Sequence, residues 1–234
     1  MASNTSSSYH HGNLRQELME LAEKHLVEGG VRDLSLRALA REIGVSQTAP
    51  YRHFRDKNAL LAALATEGFK RFFEMGRPSE EEPRADKSLL YFGLAYVKFA
   101  REHTELFHLM FGPALQPRNQ YPELFAAGRE AIYKVRAGVE RGLANGELRP
   151  LDNVASIAHT VWAAVHGVTT LMLDHADTYG YHRDLHLQAE KSMRMMIAGL
   201  CTDPSYISTL HAILWGSDAC AWKFCWTDSV VPEV

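Results

Sequence analysis

The sequence predicts an all-α fold, an N-terminal helix-turn-helix, three-helix domain followed by a C-terminal helical domain. Three observations predict it. Apolar residues recur three and four positions apart in one segment after another, the spacing of a single helix face. No segment alternates apolar and polar residues as a half-buried strand does, and no segment repeats another. Residues 35–57, SLRALAREIGVSQTAPYRHFRDK, read as two short helices around a tight turn.

The totals bound the rest. A chain of 234 residues accommodates one large or two modest domains. Hydrophobic residues at 46% and charged residues at 23% are ordinary globular proportions. The net charge is −3, so any affinity for nucleic acid has to come from a local patch. The start, MASNTSSSYHHGN, has no apolar run and hence no signal-peptide pattern. Cys201, Cys220 and Cys225 all lie at the C-terminal end. The body therefore has no disulfide framework, as expected of a cytoplasmic protein.

Residues 1–12 are polar and Ser-rich and are expected to form a flexible arm. Asn13 is placed to cap a first helix with the stripe Leu14, Leu18, Leu21, Ala22 and Leu26, which Gly29-Gly30 ends. That stripe has to cover the next two helices, which have no core of their own. Leu36, Leu39, Ala40 and Ile43 give the second helix its apolar face. Gly44 follows, where a helix end wants a residue that tolerates positive φ. Ser46 is a good N-cap for a helix over residues 47–54. That helix buries Tyr51 or Phe54 and leaves Gln47, Thr48, Arg52 and His53 outside. Five basic residues against two acidic ones leave the stretch at +3. Such a second helix lies in the DNA major groove. An ordinary helical hairpin with a solvated basic face fits the same pattern.

Asp56 is a natural cap for a helix over residues 57–75, with Leu60, Leu61, Leu64 and Phe69 inside. Lys57 stands beside the free N–H groups of that helix start, which suits a phosphate. Residues 76–86, GRPSEEEPRAD, read as a linker. Residues 13–75 thus form the DNA-binding domain with its connecting helix, and residues 87–200 a second domain. Within it, helices are expected over residues 87–102, 103–111, 122–144, 154–173 and 183–200. Residues 154–173 carry no formal charge over the length of a membrane span. Ser156, His159, Thr160, His166, Thr169 and Thr170 interrupt them, so a helix between protein surfaces is expected and no membrane. The tail, residues 201–234, holds every cysteine and Trp215, Trp222 and Trp226, and differs in kind from the body.

The stretch LRALAREIGVS, followed after a short step by YRHFRDKNALLAAL, resembles the DNA-binding region of the TetR family of transcriptional regulators. YHHGNLRQEL at the start is similar to one subgroup of that family. Residues 162–167, WAAVHG, resemble the tryptophan–histidine–glycine signature of a C-terminal subgroup. Pro50 departs from the pattern, since many members carry leucine there. Its missing N–H would have bonded to the Ser46 carbonyl, so the first turn of the reading helix should be weakened. The resemblance implies a homodimeric repressor that binds a roughly palindromic double-stranded operator, is released by a small molecule, and is not an enzyme.

The candidate DNA contacts are Arg37, Ser46, Gln47, Thr48, Tyr51, Arg52, His53 and Lys57. Gln47 has the geometry to read adenine, and Thr48 a thymine methyl. Arg52 reads guanine or holds phosphate. The resemblance implies that Tyr51, His53 and Lys57 hold phosphates, which fixes position without specifying sequence. Arg15 is a further phosphate candidate. Phe99, Phe107, Met110, Phe111, Tyr133, Trp162, His166 and Met172 are expected to line an apolar effector pocket. For His166 the favoured reading is a core histidine satisfied by a neighbour, since a lone histidine on an apolar helix is usually structural. Ala158, Val161, Val165, Met193 and Ile197 are the candidate dimer face.

No cofactor is expected. His175, Asp177 and His182 are near one another, the pair His182 and His186 needs a third zinc ligand from elsewhere, and Cys220 with Cys225 lacks a matched second pair. No phosphate-cradling glycine loop, nucleophile elbow or metalloprotease motif is present. A metal-sensing regulator, or a helical binding protein or enzyme with a non-functional head, are the other readings.

Overall fold

The computed structural model describes residues 14–174 and 185–203. Among these the regular elements are helices, with one isolated β-bridge between Leu148 and Cys201. The head comprises α1 (Leu14–Asp33), α2 (Leu36–Ile43) and a 3₁₀ turn (Ala49–Arg52). Helix α3 (Lys57–Gly76) leaves the head, and a short helix α4 (Pro78–Glu81) follows. The second domain comprises α5 (Ala85–Glu102), α6 (Thr104–Phe111), α7 (Pro122–Ala144), α8 (Val154–Asp174) and α9 (Leu185–Leu200).

Helix α1 buries Leu18, Met19, Ala22 and Leu26, and breaks at Gly30, where φ is 70°. Leu36, Leu39 and Ala40 of α2 meet it. Gly44 adopts the left-handed conformation (φ 82°), which returns the chain so that Val45 N–H donates to the Ala40 carbonyl at 2.9 Å. Helix α3 begins as read: the Asp56 carboxylate accepts from Ala59 N–H at 2.7 Å. Its far half belongs to the second domain. Phe69 and Phe72 are wholly buried, and Phe72 packs on Phe92, Tyr96 and Phe99 of α5. Head and second domain therefore share one continuous core.

Three expectations are corrected. Residues 76–86 are not a free linker. Ser79, Ala85 and Asp86 are buried. Ser79 Oγ donates to the Gly76 carbonyl (2.6 Å) and Ser88 Oγ to the Ser79 carbonyl (2.7 Å). The Glu147 carboxylate accepts from Ala85 N–H (2.7 Å) at the start of α5. The polarity of this stretch serves helix ends.

The proposed dimer face is core. Ala158, Val161, Val165, Met193 and Ile197 are all 5% exposed or less within one protomer. Helix α8 packs between α7, α9 and α5, and α9 packs on α5 and α8. The helix-spaced stripe thus faces the protomer's own interior, out of a partner's reach.

The tail does not begin at Cys201. That residue is buried and its N–H donates to the Ile197 carbonyl at 2.9 Å. Burial first, and then the Asp86 carboxylate, push its thiol up to about 11. The remaining tail residues, with Cys220 and Cys225, lie outside the described residues. So do the arm, Asn13, His175, Asp177, His182 and the side chain of His186. Among the described residues α8 alone is long and apolar enough to cross a membrane, with a mean hydropathy of 1.2. Its inner stripe is buried against its own fold.

Candidate nucleic-acid interface and aromatic core

The reading segment follows directly from the Gly44 turn. It is a 3₁₀ turn, not the expected α-helix over residues 47–54. Pro50 is the reason. Without an N–H at Pro50 the Ser46 carbonyl takes its bond from Ala49 instead (2.9 Å), an i→i+3 bond that tightens the turn. Tyr51 N–H then bonds to the Thr48 carbonyl (3.2 Å) and His53 N–H to the Pro50 carbonyl (3.0 Å). Nor does Ser46 cap this turn by its side chain; Ser46 Oγ pairs with Thr48 Oγ1 at 3.2 Å.

The tighter turn still presents an outward set. Pro50 and Phe54 are buried and hold the segment to the head. Arg37, Ser46, Gln47, Thr48, Tyr51, Arg52 and His53 are exposed. Tyr51 is the large ring left outside, at 45% exposure. Arg15 lies with its guanidinium 5.4 Å from the centre of the Phe54 ring, which pins it beside the reading segment. Lys57 also supports the head itself. Its Nζ donates to the Arg32 carbonyl at 3.1 Å, at the C-terminal end of α1. A single cation thus satisfies one helix end while standing at the start of another.

The second domain holds a cluster of rings. Phe107, Phe111, Trp162 and His166 do come together, with Phe107 and Phe111 4.9 Å apart and Trp162 stacked on His166 at 5.7 Å. Sequence reading missed the residue they surround. Tyr96 lies within 5.4–6.2 Å of all four rings and is 1% exposed. Its hydroxyl and His166 Nδ1 share a hydrogen bond of 2.6 Å. The signal was present in the sequence as a tyrosine on an otherwise apolar helix face, which needs a buried partner. Burial lowers the basicity of His166 and raises the pKa of Tyr96, so both stay neutral at pH 7.

Other pocket candidates are placed elsewhere. Tyr133 is 48% exposed and sits under Arg129, outside the cluster. A residue on the solvent face of α7 has no access to the core. His159, which shares a helical spacing with Trp162 and His166, is exposed. Phe99 packs on Phe72 and His103. Met110 lies against Gly68 of α3, and Met172 is buried in the same continuous core. The core beside Tyr96 and Trp162 is nearly filled, with a void of about 10 Å³ between α5, α7, α8 and α9.

Comparison with known proteins adds to this geometry. The family described as "Bacterial regulatory proteins, tetR family" matches residues 18–64. The family described as "Tetracyclin repressor-like, C-terminal domain" matches residues 89–200. An HTH-type transcriptional regulator from Staphylococcus aureus, SAB2452, is 27% identical over 40% of this chain and 51% of its own. Another from Mycobacterium tuberculosis, Rv1816, is 23% identical over 61% of this chain and 62% of its own. The chain therefore spans about half to three fifths of the length of these curated relatives. A solved structure of a protein of unknown function from Rhodococcus sp. RHA1 is 33% identical, with a TM-score of 0.71. It covers 84% of this chain and 100% of its own.

Proposed function

Because this chain belongs to the TetR family of transcriptional regulators, we propose that it is a sequence-specific DNA-binding regulator that acts as a homodimer in the cytoplasm. One observation carries the reading. A left-handed Gly44 turn presents Gln47, Thr48, Tyr51, Arg52 and His53 on one exposed edge, anchored by buried Pro50 and Phe54. Gln47 and Thr48 read bases; Tyr51, Arg52, His53 and Lys57 hold phosphates. The test is direct. Pure protein should select a roughly palindromic site from random duplex DNA, and its affinity should fall steeply with salt. Binding without sequence preference would refute it.

The dimer forms through the outer face of α8 and α9. Leu171, Leu187 and Met195 are 43%, 43% and 64% exposed there. Gly167 and Gly199 have nothing within 4 Å of where a Cβ would stand, so the protomer itself does not use their smallness. Two-fold pairing of this face would set the two reading heads on two half-sites.

The regulator is a repressor released by an apolar or aromatic effector that enters the ring cluster around Tyr96 and His166. The small void means that the ligand has to part these rings, which makes the bound protein a different packing state. A ligand that releases DNA binds the free dimer more tightly, and DNA weakens the ligand by the same factor. Shared burial of Phe72 with Phe92, Tyr96 and Phe99 is the physical route from that cluster into α3.

A further inference from the structure

A cleft of about 230 Å³ opens between α4, α5 and α7, outside the aromatic cluster. Its apolar walls include Leu89, Phe92 and Val135, and Lys134 and Arg141 are its cations. Lys134 is already paired, with Glu80 at 2.5 Å and Glu130 at 3.8 Å. Arg141 is not. Its Nε and Nη2 are buried and make no hydrogen bond among the described residues. Buried polar groups in folded proteins are nearly always paired, so each exception asks for an explanation such as a ligand or ion. These two nitrogens form the side-on edge of the guanidinium. That edge carries two parallel N–H groups, which match the two oxygens of a carboxylate. Arg141 is itself only partly buried and lines the cleft.

We propose that this cleft binds a small organic carboxylate. Its oxygens sit on the Nε–Nη2 edge of Arg141 and its apolar part lies on Leu89, Phe92 and Val135. Glu80, which lines the cleft, disfavours a doubly charged phosphate. The volume equals roughly eight waters at ~30 Å³ each, which suits an aromatic or short branched aliphatic acid. Location gives the site a consequence. Ser79, also on its wall, bonds to the last residue of α3, and Leu89, Phe92 and Val135 line the void beside Tyr96 from the other side. The site does not depend on the reading of the aromatic cluster, because its occupancy is measured without DNA.

The test is calorimetric titration and thermal shift of the full chain with benzoate and isovalerate. Benzamide serves as the neutral counterpart and inorganic phosphate as the anion without an apolar part. One or both acids should bind at a single site and raise Tm, while benzamide and phosphate do neither at equal concentration. Arg141→Gln should weaken the acid by about tenfold or more, since a charge-assisted pair of hydrogen bonds is lost. Ala137→Phe, which fills the cleft mouth and keeps Arg141, should weaken it as well and covers the case in which Arg141→Gln fails to fold. No response to either acid, or acid binding unchanged in the folded variants, overturns the proposal. Phosphate binding in preference to both acids overturns it too.

Discussion

Arg71 and Glu23 meet in a two-pronged ion pair, Nη1 to Oε1 at 2.5 Å and Nη2 to Oε2 at 2.7 Å. Arg71 lies on α3 and Glu23 on α1, so the pair ties the head to the helix that enters the second domain. Both side chains are partly exposed, at 38% and 25%, which limits the pair's worth to about 1 kcal/mol. Arg71→Met or Glu23→Gln should therefore lower Tm by about 2–4 °C in a chain of this size. The double variant should lose less than the sum. A larger effect is expected on operator affinity, because the pair ties α1 of the head to α3. Equal losses of stability and affinity would make it a stability contact alone.

Pro50 sets the pitch of the reading segment. Pro50→Ala restores the N–H that the Ser46 carbonyl would accept in an α-helix, and removes the constraint that produces the 3₁₀ turn. The variant should fold and prefer a different set of operator bases. Site selection with both proteins checks this; an unchanged site would mean that the pitch does not matter for reading.

Arg52 and Lys57 separate under the same assay. Arg52→Ala should weaken every sequence alike and reduce the salt slope by about one. Lys57→Ala should do this and also cost stability, because Lys57 Nζ holds the Arg32 carbonyl at the end of α1. A Lys57 variant with normal Tm would show that this carbonyl finds water without loss.

The fold was legible where a helix carries one clear polar face, as α2 does. Legibility failed where a helix has two apolar faces. On α8, Val161 and Val165 go inside, while Ala163 and Leu171 stay out. Periodicity finds the stripe but does not say which body it meets. Residues 76–86 misled for a related reason: serines and carboxylates that cap helix ends look like those of a solvated linker. Tyr96 and Arg141 were missed because a polar atom buried against a distant element leaves no local pattern. The Pro50 effect, by contrast, was legible in direction, since a missing N–H is a local fact.

His166 gives a pH dependence whose sign is fixed. Burial lowers its pKa below the ordinary 6.5, so the unfolded chain binds the proton more readily. Stability tied to His166 is therefore intact above pH 6.5 and is lost as pH falls below it. His166→Gln should flatten this acid-side loss in Tm between about pH 7.5 and 5.5. Tyr96→Phe leaves His166 Nδ1 without its partner and should cost about 1–3 kcal/mol at neutral pH. If His166→Gln keeps the acid-side slope of the parent, the titration belongs to another group.

The dimer face can be separated from the core on one pair of neighbours. Met193 is 2% exposed and Met195 is 64% exposed, two residues apart on α9. Met193→Glu puts an unpaired charge into the protomer core and should unfold it. Met195→Glu should leave the protomer folded, with little change in helical content. Paired across a two-fold axis, however, the new carboxylates meet each other or an apolar partner surface, and the dimer should dissociate. Gly167→Trp makes the same test by bulk, in a place where the protomer has nothing within 4 Å. Light scattering should show folded monomers for both Met195→Glu and Gly167→Trp, with operator affinity lost because two half-sites are no longer held together. Dimers that persist in both variants would move the interface off α8 and α9.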